Sequence, residues 1–387
     1  MDVIRRYRQR VGRPSGPSLD DFIYRRPPPT YDQNATVFYN PTPSTASSAM
    51  GTSATFKPRE KFIFDRSITW FPAHMASAKL NIGKKRRAVD CILEVRDARA
   101  PLTASNCTIT EEYPEHVPRL VVLNKSDLVP QQDMQRAVQL LENTGRKVVL
   151  YSALGLRKIT KITNFVREHV TPQFKTLGVW MMVVGLPNVG KSSIINALKR
   201  YSFTQRWHSK YAMQQPTSLT TSKAKCAGVA GSTRTLSAFF VSENPKLYCF
   251  DTPGVMLPKM QCPEINLKLA AIGCVDDHSA GVDYIADYIL YTLNRKRMFD
   301  YVNVLGLPGP TDDVKEVMEH ISRIAERKYS TVEPSNCYRI FINQFRQGNF
   351  GLICLDDLND IIRRGDLSDF ELRWVQSILS MERIFSQ

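Results

Sequence analysis

The stretch GLPNVGKSS, residues 185–193, decides the fold of this chain of 387 residues. It matches the pattern G-x-x-x-x-G-K-[ST], with Gly185, Gly190, Lys191 and Ser192 at the fixed positions. The apolar run WMMVV precedes it and the helical run SIINALKR follows it, which is the setting that the pattern requires. In such a loop backbone N–H groups face phosphates, Lys191 neutralises their charge and the Ser192 hydroxyl ligates Mg²⁺. The stretch therefore predicts a P-loop that binds a nucleoside triphosphate.

A second stretch, DTPG at residues 251–254, follows the apolar run KLYCF. At the end of a strand, Asp251 can hold Mg²⁺ through water and the Gly254 N–H can meet the γ-phosphate. The pattern D-x-x-G is common on its own. Its place after a P-loop and a strand predicts the second half of a phosphate site.

Two further boxes indicate which base is bound. NKSD, residues 124–127, ends the run LVVLN, and its Asp127 carboxylate can accept two N–H bonds from a guanine edge. SAL, residues 152–154, ends the next run and can offer a backbone N–H to the guanine oxygen. Without the P-loop, NKSD would fit an ordinary polar turn, and SAL an ordinary strand end, as well as base recognition. Together with the P-loop, the two boxes predict GTP rather than ATP. The expected nucleotide contacts are Asn124, Lys125, Asp127, Ser152, Ala153, Asn188, Val189, Gly190, Lys191, Ser192, Ser193 and Gly254.

Short apolar runs alternate with helical stretches between Trp70 and Gly254. The runs cover residues 91–95, 120–124, 147–152, 180–185, 238–241 and 246–250, and helices are predicted at 131–143 and 157–170. This pattern predicts an α/β fold, a doubly wound, mainly parallel sheet of the Ras-like P-loop class. The base boxes precede the P-loop, which reverses the Ras-like order, so we predict a circular permutation in which helix 157–170 bridges the original chain ends.

These motifs, with TWFPAHM at 69–75 and VRDARAP at 95–101, make the chain resemble the circularly permuted ribosome-assembly GTPases of the YlqF/RbgA type, especially their mitochondrial branch. The resemblance covers residues 68–258, while the helical remainder agrees only in length and class. It implies GTP/GDP and Mg²⁺ as cofactors, hydrolysis of GTP, and docking as a monomer on large-subunit ribosomal RNA and ribosomal proteins of an assembly intermediate, beside other assembly factors. The sequence departs from the family at Ala73, where glycine is usual, and in a longer stretch between the P-loop and DTPG.

The expected catalytic residues are Lys191 and His74. Ras-like enzymes carry a water-orienting Gln directly after D-x-x-G, and Val255 stands there in this chain. The resemblance implicates His74 in that task, with a purely anchoring role as the alternative. It also suggests that Asn188 ligates K⁺, although Asn188 can instead merely cap the loop. The expected Mg²⁺ ligands are Ser192, Asp251 and Thr233, with other threonines as alternatives for the third: Thr217, Thr220, Thr221 and Thr235.

The net charge of +15 is unevenly distributed. Residues 1–255 contain 37 basic and 18 acidic residues, and the remainder contains 15 and 19. Such an excess favours a polyanion, most commonly nucleic acid. Residues 199–228 form a predicted basic, aromatic insert suited to RNA. A second basic group comprises Lys79, Lys84, Lys85, Arg86 and Arg87; a solvated surface is the alternative for both.

The chain divides into three predicted parts: a basic, Pro/Ser/Thr-rich arm at 1–66, the permuted GTPase domain at 67–258 and a helical domain at 259–387. The Arg-rich start favours the mitochondrial matrix, although early acidic residues weaken that match and leave the cytoplasm as the alternative. No apolar run is long enough to cross a membrane. The eight scattered cysteines are expected to be reduced core thiols of an intracellular protein. Two functional alternatives stay open: a GTP-binding scaffold without significant hydrolysis, and another P-loop NTPase acting on RNA.

Overall fold

The computed structural model describes residues 56–66, 68, 73–105, 116–152, 159–174, 176–207, 236–243, 245–256, 262–326 and 333–364. All of them belong to one compact unit, Phe38–Gln387. The other unit, Met1–Val37, lies outside the described residues.

A six-stranded sheet forms the centre of the structure. Its strands are β1 (Cys91–Asp97), β2 (Arg119–Asn124), β3 (Lys147–Leu150), β4 (Val179–Val184), β5 (Ser237–Glu243) and β6 (Lys246–Asp251). They lie in the order β3-β2-β1-β4-β6-β5, and every pair is parallel except β5 with β6. The predicted α/β, mainly parallel fold is thereby confirmed.

Eleven α-helices lie within the described ranges. They are α1 (Ala73–Lys85), α2 (Gln131–Asn143), α3 (Thr160–His169), α4 (Lys191–Trp207), α5 (Pro263–Ala271), α6 (Asp277–Ala280), α7 (Val282–Arg295), α8 (Asp300–Leu305), α9 (Val314–Glu326), α10 (Pro334–Gln347) and α11 (Leu358–Arg364). Short 3₁₀ turns occupy Arg86–Ala88 and Ser126–Leu128. No described helix has the length and apolar character needed to cross a membrane.

One predicted boundary differs from the structure, and another is tested only in part. Within the predicted helix 157–170 the structure describes α3, and residues 157 and 158 lie outside the described residues. The P-loop helix α4 continues to Trp207, so residues 199–207 of the predicted insert prolong a helix. The rest of that insert, up to residue 228, lies outside the described residues.

The sheet register brings the motifs to one edge. Asp97 at the end of β1 pairs with Asn124 at the end of β2, and Val183 in β4 pairs with Asp251 at the end of β6. Since these strands are parallel, their carboxyl ends meet at the edge where open α/β sheets bind ligands.

The segment of residues 56–66, which we name the N-terminal strap, lies along α7. Phe62 is buried there, with its ring centroid 5.4 to 5.6 Å from the rings of three α7 residues: Tyr284, Tyr288 and Tyr291. Arg59 donates to both carboxylate oxygens of Asp287, at 2.6 and 3.3 Å. These residues belong to the predicted basic arm, and their composition does not predict that they pack on a helix of their own chain.

Candidate nucleotide-binding site

The P-loop presses so closely on its neighbours that two positions require glycine. At Gly185 φ is 147°, and an added Cβ would lie 2.3 Å from the Val95 carbonyl oxygen of β1. At Gly190 φ is 98°, and a Cβ would lie 2.1 Å from Asn124 Nδ2. Both contacts are shorter than any side chain tolerates, so the loop sits directly on β1 and on the end of β2.

Lys191 lies buried beneath this loop. Its Nζ donates to the carbonyl oxygens of Leu186 at 2.8 Å and Gly185 at 3.2 Å. Burial lowers the pKa of Lys191 to about 8, although the Asp251 carboxylate acts in the opposite direction. Anionic phosphates bound beside this amine would raise its pKa and keep it protonated. The side chain is therefore suited to neutralising phosphate charge.

Ser192 and Asp251 meet where the sequence analysis expects Mg²⁺. The Ser192 hydroxyl donates to Asp251 Oδ2 at 2.8 Å. The other carboxylate oxygen, Oδ1, is buried and has no hydrogen-bond partner within the described part of the chain. Burial raises the pKa of Asp251, while Lys191 and Ser192 oppose this rise. A hydroxyl beside an unsatisfied carboxylate oxygen fits the oxygen ligands that Mg²⁺ takes. Thr233, the third predicted ligand, lies outside the described residues, as do its alternatives.

The DTPG turn packs against the P-loop. A Cβ added to Gly254 would lie 2.5 Å from Pro187 Cα, and Thr252 donates to the Val183 carbonyl at 2.7 Å. The next residues, Val255 and Met256, are buried. The two predicted halves of the phosphate site are therefore adjacent.

The start of α1 reaches the same turn. The Met256 N–H donates to the Met75 sulfur at 3.5 Å. His74 precedes Met75 in the first turn of α1, so its backbone lies beside the segment that follows DTPG, while its side chain is outside the described part of the structure.

The predicted base-recognition loop, NKSD at residues 124–127, is linked to the P-loop. Asn124 Nδ2 donates to the Val189 carbonyl at 2.7 Å, and the Ser126 N–H donates to the Tyr151 carbonyl at 3.1 Å, next to Ser152. Asp127 is exposed in the 3₁₀ turn that follows, which leaves its carboxylate accessible to a base. Ser152 is buried, and Ala153 lies outside the described residues. Asn124 thus joins NKSD directly to the phosphate loop.

Asp97 and Arg99, which no predicted motif role covers, support the NKSD box. Asp97 is fully buried. Its carboxylate accepts a hydrogen bond from Lys125 Nζ at 2.7 Å and two from the Arg99 guanidinium at 2.9 and 3.0 Å. Burial alone would raise the pKa of Asp97, but the charges of Arg99 and Lys125 hold it well below its usual range. Alternating charges at the end of the apolar run CILEV were the signal in the sequence. Asp97 fixes Lys125 of the NKSD box.

Asn188 faces the helical part of the chain. Its backbone is left-handed, with φ of 58°, and its Nδ2 donates to the Gly273 carbonyl at 2.8 Å. Gly273 lies in the turn after α5. The P-loop therefore contacts a segment 85 residues further along the chain, beyond the DTPG turn.

We expect GDP affinity to fall by about tenfold per pH unit above pH 8, because the free protein then loses the Lys191 proton that the phosphates require. Well below pH 8 Lys191 is protonated in both states, so this contribution to the affinity is constant. Titration calorimetry of GDP with Mg²⁺ from pH 7 to 9 checks this. Lys191→Arg is the matched control, because a guanidinium stays charged throughout and any titration of the base persists in the variant. Equal pH dependence of both proteins would contradict the assignment.

The chain is similar to known GTPases in sequence. The family described as 50S ribosome-binding GTPase, MMR_HSR1, matches residues 181–332. Mitochondrial ribosome-associated GTPase 1 of Mus musculus is 35% identical over 76% of this chain and 90% of its own length. Mitochondrial GTPase 1 of Aedes aegypti is 32% identical over 75% and 94%. Among solved structures, GNP-bound YlqF from T. maritima covers 73% of this chain and 98% of its own, at 19% identity and a TM-score of 0.46. The similarity to these sequence relatives extends over three quarters of the chain and is not confined to the nucleotide-binding motifs. The chain belongs to the family of mitochondrial ribosome-associated GTPases.

Proposed function

We propose that this GTPase acts in mitochondria as an assembly factor of the large ribosomal subunit, binding its ribosomal RNA and proteins in an assembly intermediate and hydrolysing GTP there. The observation that carries the proposal is the meeting of P-loop, DTPG and NKSD at one sheet edge, where Asn124 bonds to Val189. The names of the sequence relatives, which include Ribosome biogenesis GTPase A of Bacillus cereus, support the ribosomal setting.

Different site residues contact the phosphates, the base and the metal ion of the nucleotide. Lys191 and the N–H groups around Gly190 hold the phosphates, and the exposed Asp127 selects guanine. Ser192 and Asp251 would hold Mg²⁺, which supplies neutralisation of the phosphate charge. Lys125, held by Asp97, keeps the NKSD turn in place.

We assign the positioning of the attacking water to His74. Val255 follows DTPG, and its side chain is buried and apolar, so that side chain cannot orient water as a glutamine would. The bond between Met256 and Met75 keeps the start of α1 beside this turn. K⁺ at Asn188, whose amide nitrogen is bonded to Gly273, is proposed on the family resemblance alone.

The basic surfaces are proposed to bind RNA. Lys84 and Lys85 at the end of α1, and Arg87 beyond it, are exposed, which suits contact with phosphates. We further propose that residues 67–258 form the GTPase domain, 259–387 a helical domain and 1–66 an arm, with the insert at 199–228 adding RNA contacts.

The decisive experiment compares GTP turnover by the purified protein alone, with mitochondrial large-subunit precursors and with small subunits. We expect slow basal turnover, stimulation by the large-subunit precursors only, and competition by GDP but not by ATP. Binding to the precursor should weaken steeply with salt, since Lys and Arg release counterions from RNA. Binding without stimulated turnover would instead support a GTP-binding scaffold. Competition by ATP would support another P-loop NTPase.

A further inference from the structure

Arg346, in the last turn of α10, joins two neighbouring helices through its side chain. Its guanidinium donates to the carbonyl oxygens of Ala270 at 2.7 Å and Ala271 at 3.1 Å, and to both oxygens of Asp277 at 2.6 and 2.9 Å. The two carbonyls lie at the end of α5, and the Ala270 carbonyl also accepts the Gly273 N–H at 2.9 Å. Asp277 begins α6. Arg346 therefore fixes the turn between α5 and α6.

That turn is the one that contacts the P-loop. Gly273 lies within it, and a Cβ added there would lie 3.3 Å from the central carbon of the Arg346 guanidinium. The Gly273 carbonyl accepts the bond from Asn188 Nδ2 at 2.8 Å. The position of the Asn188 side chain thus depends on the turn that Arg346 holds.

A second route leads from the backbone of Arg346 to the base-recognition loop. Its carbonyl accepts a bond from Arg99 Nη1 at 3.2 Å. Arg99 is paired with Asp97, which holds Lys125. The same helix end touches this loop again, because a Cβ at Gly348 would lie 2.6 Å from the Leu128 side chain.

We propose that Arg346 is a positioning residue that holds the P-loop and the NKSD loop at one spacing and so sets how fast guanine nucleotide is released. The proposal rests on the assignment of both loops to GTP. The Arg346 side chain acts through the turn that contains Gly273, and the Arg346 backbone carbonyl acts through Arg99. Since Arg346 lies on α10, a displacement of that helix changes nucleotide retention without any contact to the nucleotide.

The test is the release rate of fluorescently labelled GDP, measured by stopped flow on the full-length protein. We expect Arg346→Ala to release GDP about tenfold faster than wild type, which is within the range of coupling seen for such networks. Arg339→Ala is the matched control, because Arg339 lies two turns earlier on α10 and pairs with exposed His278 of α6. Its release rate should equal that of wild type.

Binding stoichiometry separates positioning from loss of fold. If Arg346→Ala only misfolds part of the protein, fewer molecules bind GDP and those that bind it release it at the wild-type rate. That result would overturn the proposal. A double-mutant cycle with Asn188→Ala tests the first route, and we expect Arg346→Ala to add about threefold or less in that background. Full additivity would overturn this route.

A second variant covers a failure of Arg346→Ala to fold. Asp277→Asn keeps the side-chain shape, removes one charged partner of Arg346, and should accelerate release by about threefold. An unchanged rate in this folded variant would overturn the proposal. Absence of GDP binding by the wild type would refute the proposed function itself, whereas normal release from the variants refutes only the positioning role.

Discussion

Asp127→Asn is expected to weaken GTP binding by about 30- to 1000-fold, or ~2 to 4 kcal/mol, because guanine loses a charged acceptor for two N–H groups. Asp127 is exposed at the end of the NKSD turn, so the substitution leaves the core intact. Equilibrium competition against labelled GDP measures the loss.

Two comparisons make this result specific. Xanthine carries a carbonyl where guanine carries an amino group, so the Asn amide can donate to it, and the variant should gain affinity for XTP relative to GTP. Asp133→Asn removes another acid, one paired with Arg136 on α2, and should bind GTP like wild type. Unchanged GTP affinity in Asp127→Asn would show that NKSD does not read the base.

His74→Ala should lower the precursor-stimulated rate of GTP hydrolysis by about 10- to 1000-fold and leave GTP binding nearly intact. The physical reason is that the buried Val255 side chain carries no polar group for the attacking water, while α1 is held at the same turn through Met75. Single-turnover hydrolysis on purified particles isolates the chemical step from product release.

Leu80→Ala is the control for α1, because Leu80 is 68% exposed on the same helix. It should hydrolyse GTP at the wild-type rate. His74→Gln, which keeps a hydrogen-bonding group, should retain part of the stimulated rate. A wild-type rate for His74→Ala would assign the water to RNA, another protein or the substrate phosphate.

The strands were predictable because their sequences are nearly continuous apolar runs. β1 has all seven residues buried, and the run CILEV predicted its first five. The continuation through Arg96 and Asp97 was not predictable, since both are charged and become buried only by pairing. Arg96 pairs with Glu94 through two bonds, at 2.8 and 3.0 Å. Their i, i+2 spacing places both side chains on one face of the strand, but the sequence does not show that this pair is buried.

The candidate site was predictable in the P-loop and NKSD, because in both motifs the residues that would bind nucleotide lie at a fixed spacing within a few positions of sequence. The support from the helical part was not predictable. Asp356 accepts bonds from the Leu102 and Thr103 N–H groups at 2.9 and 3.0 Å, across more than 250 residues of sequence. Its segment, residues 349–357, has neither helical nor strand periodicity, so only the folded chain shows that it braces the loop after β1.

The N-terminal strap, the first described segment, depends on partners in the C-terminal half of the chain. Arg59 binds Asp287 and Asp312, which follow it by 228 and 253 residues. Closing so long a loop adds little entropy cost beyond that of a shorter one, about 0.6 kcal/mol for each doubling of length. The closure has to wait, however, until α7 and the loop before α9 have emerged and folded during synthesis or passage through a pore. Until then Phe62 has no tyrosine partners, and a fragment that ends near residue 258 carries the strap without its binding surface.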